Sequence, residues 1–329
     1  MGWYTISGRQ VGWAAGLLLS QPPEHFVFPD YPVEVSWFSV IPFLQNIRLQ
    51  FPAGVNPLTL MGYRHIAGTT ETVVPSVSFT LDFFVQQGEP LSFVDALINN
   101  ALWEKWDETE GRPVPQLPLP FTFVFTIRQD PNSEVLRQFA CPYAYISRLR
   151  GYTDGDSRAL KLQVDFTAPL IQFSQINSIA VVSNYDPDMP FPLIREIVTE
   201  DWGTRQVVDL SWEVTNQIEF VYSSWRDGQP LQYIRTANRI VYQGSQIQVN
   251  LQVLHPYFSS NEFARDWSMS PFDFQFIIAY RYDNPNFEKR LLKFFGGRVT
   301  SMETTFSFDM PITEQVQLTA RYMKWEEVT

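Results

Sequence analysis

Cysteine is nearly missing from the sequence: Cys141 is the single one in 329 residues. A lone cysteine excludes an intrachain disulfide and any cysteine-based metal centre. Its setting, Phe139-Ala-Cys-Pro-Tyr143, is apolar and has no nearby His or Lys, so Cys141 reads as a small buried hydrophobe. Histidine is scarce as well: His25, His65 and His255 stand apart, none with another histidine at metal-ligand spacing. No glycine-rich phosphate loop opens a helix, and there is no nucleophile elbow. Asp154 with Asp156, and Asp186 with Asp188, bring only two carboxylates each, where Ca²⁺ takes about six to eight oxygens. They read as turn chemistry. The sequence is therefore read as a non-enzyme without cofactor or metal. Paired carboxylates for glycoside hydrolysis stay open among 35 acidic residues.

Positive charge is also short. The net charge is −11, and no Lys/Arg cluster is longer than a pair. Gripping nucleic acid requires a basic footprint that releases counterions, so specific DNA or RNA binding is disfavoured. An acidic surface suits either plain solubility or a wall that nucleic acid passes without sticking. Long apolar runs are absent from the N-terminal region, where Val11–Leu19 has nine residues, too few to span a bilayer. No basic leader or small-residue cleavage site accompanies it, and Ile6 stands where a myristoylation signal after Gly2 has Ser or Thr. The expectation is a soluble, untargeted chain with no membrane partner.

Aromatic residues are plentiful, at 27 Phe, 14 Tyr and 10 Trp, which fits strands and large interfaces alike. The length gives a prior of about two domains. Much of the text repeats. Phe121-Thr-Phe-Val-Phe-Thr-Ile127, a turn at Asp130-Pro131-Asn132 and strand text ending Leu162-Gln-Val-Asp-Phe166 form one copy. Phe272-Asp-Phe-Gln-Phe-Ile-Ile278, a turn at Asp283-Asn284-Pro285 and Val316-Gln-Leu-Thr-Ala320 form the other. The opening offset is 272 − 121 = 151 and the closing offset 316 − 162 = 154. Val77-Ser-Phe-Thr-Leu-Asp-Phe83 is echoed by Ile247-Gln-Val-Asn-Leu-Gln-Val253. This predicts a duplicated domain.

The predicted organisation has three parts. Residues 1–30 read as an irregular arm, with Val11–Leu19 able to form a short apolar helix, docked on a neighbouring subunit or on the chain's own body. Residues 31–175 and 176–329 read as two similar β domains, each a sandwich or half-barrel with one short helix, the boundary lying near 172–183. Strands are predicted at 33–37, 47–51, 77–85, 121–127 and 218–222, two more within 239–253, and others at 272–282 and 315–325. Asp227-Gly228 marks a hairpin. Ser92 and Asp95 have capping-box spacing, and Phe93, Leu97, Ile98, Ala101 and Leu102 share one face, which predicts a helix over 92–106. The matching segment of the second half is 260–267. Four prolines in 111–120 predict a stiff connector that is neither helix nor central strand.

The C-terminal text, Phe294-Phe-Gly-Gly-Arg-Val-Thr-Ser-Met302 and then Gln315-Val-Gln-Leu-Thr-Ala-Arg-Tyr-Met-Lys-Trp-Glu326, resembles the end of bacteriophage tail-tube proteins. There an aromatic-led segment with a Thr-Ser step enters a loop, and an alternating strand closes on Tyr-x-x-Trp-Glu. The first half keeps the pattern loosely in Phe139–Ser147 and Leu160–Phe166. The resemblance implies a sheet curled into a section of tube wall. Six single-domain subunits normally form a ring, so two tube domains per chain imply a pseudo-hexameric homotrimer. Rings stack, meet other tail or baseplate proteins, and let DNA pass without specific binding; the location is the tail of a virion. A tail-tip or baseplate ring and a carbohydrate-binding β-sandwich are the alternatives.

The alternating strands supply the candidate lumen residues: Gln163, Asp165, Gln248, Asn250, Gln252, Gln317 and Thr319. Ser78, Thr80 and Asp82 alternate in the same way. One wet face per strand suits an antiparallel sheet. That face is either an ordinary solvent surface or the lining of a conduit, which would lack Lys and Arg because phosphate contacts retard passage.

Overall fold

The computed structural model describes residues 11–17, 44–50, 55–59, 66–71, 77–85, 89–107, 109–116, 118–128, 135–153, 160–169, 206–221, 225–226, 229–230, 239–255, 272–279, 289–306 and 312–327. The strands expected at 33–37, the helix at 260–267, the boundary at 172–183, and the residues His25, His65, Asp154, Asp156, Asp186 and Asp188 lie outside them.

The chain is mainly β. Its first elements are β1 (Val11–Leu17), β2 (Leu44–Gln50), β3 (Val55–Thr59), β4 (Ile66–Glu71), β5 (Val77–Phe84), α1 (Glu89–Asn99), β6 (Glu104–Asp107), β7 (Arg112–Pro115), β8 (Phe121–Arg128), β9 (Val135–Thr153) and β10 (Leu160–Ala168). Then come β11 (Gln206–Val221), β12 (Trp225–Arg226), β13 (Gln229–Pro230), β14 (Arg239–His255), β15 (Phe272–Ala279), β16 (Lys289–Thr305), β17 (Ile312–Ala320) and β18 (Tyr322–Glu327). Twelve strands join one antiparallel sheet in the order β15-β16-β17-β14-β11-β9-β10-β5-β2, with β1 on β8, β8 on β9 and β18 on β16. The pairs β3/β4, β6/β7 and β12/β13 stand apart as hairpins.

Two runs of strands have the same neighbour order. One is β8-β9-β10-β5-β2 and the other β15-β16-β17-β14-β11. Their irregularities coincide. An extra residue, Gln45, interrupts β2 opposite β5, and Val208 interrupts β11 opposite β14. Ser147 bulges from β9 opposite β10, and Thr300 from β16 opposite β17, 300 − 147 = 153 positions on. Near the β8 end of β9, Tyr143 has φ 56°; at the matching place in β16, again 153 positions on, Gly296 has φ 62°. Between them β9 and β16 each run the length of two shorter strands, β9 leaving β8 to join β10 and β11, β16 leaving β15 to follow β17.

One face of the sheet is the core. In β5 and β10 buried and half-buried residues alternate without a break, so Phe79, Leu81, Phe83, Leu162, Val164 and Phe166 all point inward. Helix α1 adds Val94, Leu97 and Ile98 to the same cluster. Its far side meets β18, where the Trp325 indole donates to Asp95 Oδ1 at 2.6 Å. The Trp106 ring stacks on Phe295 with centroids 4.5 Å apart, and its backbone N–H donates to the Tyr322 hydroxyl at 3.0 Å.

Several expectations need correction. Val11–Leu17 is a strand, not a helix or an irregular arm: it pairs with β8 on the chain's own body, Trp13 opposite Phe125. An exposed row of backbone groups on β8 accepts it despite Gly12 and Gly16. Helix α1 is described from Glu89 and ends at Asn99, so Ser92 stands inside it rather than at its N-terminus. Pro90 suits the first turn. Asn100 Nδ2 donates to the Ala96 carbonyl at 2.8 Å, and the chain turns out, leaving Ala101 and Leu102 buried but not helical. The segment 239–255 is one strand, not two; Gly244, at φ 149°, lets it bulge and continue. The Thr300-Ser301 step lies in mid-strand at the β16 bulge rather than at a loop entry. The proline-rich segment does form β7, but only as half of a two-stranded hairpin.

Candidate functional site

Opposite the core, the sheet carries a polar face, and the register fixes which residues share it. One row crosses seven strands: Asn46, Asp82, Gln163, Arg150, Glu213, Gln248 and Thr319, ending at Arg298 on an eighth. A second reads Arg48, Thr80, Asp165, Arg148, Thr215 and Gln246. A third reads Phe84, Lys161, Tyr152, Ser211, Asn250, Gln317 and Ser301, with the Lys161 ammonium over the Phe84 ring at 4.4 Å. A fourth reads Asp209, Gln252, Gln315 and Glu303. All seven residues singled out from the sequence therefore stand in four parallel rows on one face. Gln248, Asn250, Gln317 and Thr319 are exposed; Gln163, Asp165 and Gln252 are half-buried.

The face is not free of basic side chains. The four strands read from sequence keep Lys and Arg out of the quoted segments, but β9, missing from that reading, inserts Arg148 and Arg150 among them. The signal was available, since Arg148-Leu-Arg150 alternates as a strand does. Arg148 is neutralised in place. It donates to Glu213 Oε2 at 2.6 Å and lies 3.9 Å from Asp165 Oδ2. Asp165 also accepts from the Thr80 hydroxyl at 2.6 Å. Arg150 covers the Tyr152 ring at 5.1 Å.

The electrostatics follow from this crowding. Burial, and then the neighbouring Asp165 charge, push the Asp82 carboxyl above its ordinary value. Burial acts the same way on Glu213, yet the hydrogen bond and charge of Arg148 outweigh it and hold that carboxyl below its ordinary value. A depressed carboxylate stabilises the fold above its unfolded pKa, and that contribution is lost as pH falls through the folded value. The Arg148 side chain is 38% exposed, so solvent screening holds the effect under about 1 kcal/mol. Glu213→Gln should therefore lower stability modestly at neutral pH, and the gap from the parent should close as pH drops below about 4.5. Urea melts across that range measure it; a gap that persists undiminished into acid would show that the Glu213 charge is not its source.

Other sequence readings can be placed. Cys141 is fully buried, and burial pushes its thiol well above the ordinary range, as an inert core residue requires. Trp103, Trp212 and Trp325 are buried too. Among the described residues no group of three or more His, Cys, Asp and Glu is placed to hold a metal ion, and no helix is long and apolar enough to cross a membrane. What the sequence did not reveal is Asn216, a buried amide at the seam between the two runs of strands. Its Nδ2 donates to the carbonyls of Ala101 at 2.6 Å and Ile146 at 2.8 Å, while its Oδ1 accepts from the Ser245 hydroxyl. No protein-family model and no curated protein matches the sequence.

Proposed function

We propose that this chain is a structural virion protein built from two tandem tube domains, three copies forming a pseudo-hexameric ring of a phage tail tube. The observation that carries the reading is the repeated strand order with its coincident irregularities. Bulges at Gln45 and Val208, and at Ser147 and Thr300, with left-handed residues at Tyr143 and Gly296, support descent of the two runs from one unit. β-Bulges are kept within families as built features, so three coincidences weigh more than a shared strand count. On this alignment Leu162, facing Phe83, matches Glu314, facing Val253, at a spacing of 314 − 162 = 152. The continuous polar face supports the second part, a lumen wall that is wetted and in which Arg148 is paired with Glu213 and Asp165. A ring at the tail tip or baseplate is supported by the same observations. A carbohydrate-binding surface would want a row of exposed aromatics, and burial of Trp103, Trp212 and Trp325 weighs against it.

The test has two arms. Purified protein should form trimeric rings or stacked tubes in negative-stain images; a strict monomer at high concentration in every salt condition would remove the reading. Then Gln248→Lys, Asn250→Lys and Gln252→Lys together should leave folding and assembly intact, because the side chains project from the polar face. Each added lysine brings a counterion-release term with passing phosphates, so genome delivery should fall. Normal delivery by an assembled triple variant would dismiss the lumen assignment.

A further inference from the structure

Among the described residues, two of the open strand edges match a joint that the chain already contains. Within the chain the two runs meet where β11 pairs with β9: Ser211 opposite Tyr152, Trp212 opposite Gly151, Glu213 opposite Arg150. β11 also pairs with β14, as β2 pairs with β5. β9 leaves β8 just before this joint, as β16 leaves β15 after Gly297. Among the described residues no strand pairs with the second edge of β2, nor with the edge of Arg298–Thr305 that continues from β15.

We propose that β2 of one copy pairs antiparallel with the second half of β16 of the next copy, repeating the β11–β9 joint between molecules. The spacings fix the register. β11 follows β2 by 208 − 45 = 163 positions, and β16 follows β9 by 153, as their bulges mark. Ser211 opposite Tyr152 then becomes Arg48 opposite Thr305. Trp212 opposite Gly151 becomes Leu49 opposite Thr304, and Glu213 opposite Arg150 becomes Gln50 opposite Glu303.

Three observations favour a second copy as the occupant. Leu149, on β9 beside β11, is fully buried, whereas Met302, 153 positions later, is 41% exposed and is one of two large exposed hydrophobics among the described residues. Phe306, the other, follows the same open edge. The charges match diagonally: Arg48 would lie across from Thr305, two residues from Glu303, within reach of a cross-strand pair. The size exchange is also complementary, a large and a null side chain inside the molecule against two medium ones between molecules. Such a joint uses different surfaces on its two sides, so it is heterologous and either closes a ring or runs on as a filament. Addition of a strand to an exposed edge is an established binding mode, here with a copy of the same protein as donor.

The inference rests on the duplicated-domain part of the reading above and not on passage of DNA. The test is the double variant Gln50→Cys/Glu303→Cys, oxidised and run on a non-reducing gel; Cys141 is buried and stays in place. Cross-linked oligomers should appear, and the control Asn46→Cys/Glu303→Cys, about 13 Å out of register, should give none. Arg48→Glu should weaken assembly, and adding Glu303→Arg should restore it. Assembly without the Gln50–Glu303 cross-link would overturn this joint and leave the ring reading standing. Absence of any assembly would overturn both. Cross-linked chains that run on as open filaments without ever closing into rings or tubes would uphold the joint and sink the ring reading.

Discussion

Gly151→Val should cost at least about 3 kcal/mol, the range of severe overpacking, in a protein whose net stability is of the order of 5–15 kcal/mol. The cause is contact between two strands at the seam. Gly151 on β9 faces Trp212 on β11, and a Cβ at position 151 would fall well inside van der Waals contact with the indole Cζ2 and Cη2. Trp212 is fully buried and has no room to retreat. Glycine elsewhere in a strand is an entropic cost of about 0.5–1 kcal/mol, so here the clash decides the sign. Denaturant melts should find even Gly151→Ala clearly destabilised. A cycle with Trp212→Leu separates clash from cavity. Trp212→Leu alone loses stability, but Gly151→Ala in that background should lose far less than in the parent. Equal losses in both backgrounds would show that the indole is not the obstacle.

Phe123→Ala should be nearly as damaging, at about 3–5 kcal/mol. Phe123 is fully buried on β8, and its ring centroid lies 4.6 Å from Phe166 and 5.0 Å from Phe79. Phe79 stacks on Phe166 at 5.1 Å and meets Phe125 edge-on at 5.5 Å. Removing the ring leaves a cavity between β8 and the β5–β10 pair, where rigid neighbours collapse poorly. Thr319→Ala, exposed on the polar face, should shift stability by no more than about 0.5 kcal/mol. Comparable losses at both positions would contradict the assignment of core and polar faces.

Where alternation was unbroken, the sequence could be read. Val77–Phe83, Leu160–Phe166, Ile247–Val253 and Gln315–Thr319 gave both strands and faces, because burial on one side writes a period of two into the chain. Reading failed where one residue broke the period. Glu314, a buried acid on the core face of β17, hides the start of its alternation, so the offset of 154 read from the sequence stands two residues from the 152 between the corresponding strand positions Leu162 and Glu314. Two strands are expected within 239–253, but Gly244 serves a bulge and a single strand continues through it. Ala101 and Leu102 prolonged the helical pattern because they are buried, although a loop rather than a helix carries them inward. The candidate site divided in the same way. Its glutamines and asparagines followed from alternation, but the arginines of β9, the Glu213 bridge and the Asn216 amide depend on which strands lie side by side. That is a long-range property with no local trace.

The bond from Trp325 to Asp95 spans 230 positions of chain. At roughly 5–20 residues per second, a ribosome places that indole on the order of ten to fifty seconds after the carboxylate it will meet. Until then the side of α1 that β18 will cover, and the Trp106 ring that will stack on Phe295, face the solvent or a chaperone. Synthesis thus leaves the early part of the protein with an adhesive patch that only its own distant segment is shaped to cover. Polysome pausing between the codons of these two residues would prolong that exposure and should favour pairing with another nascent chain.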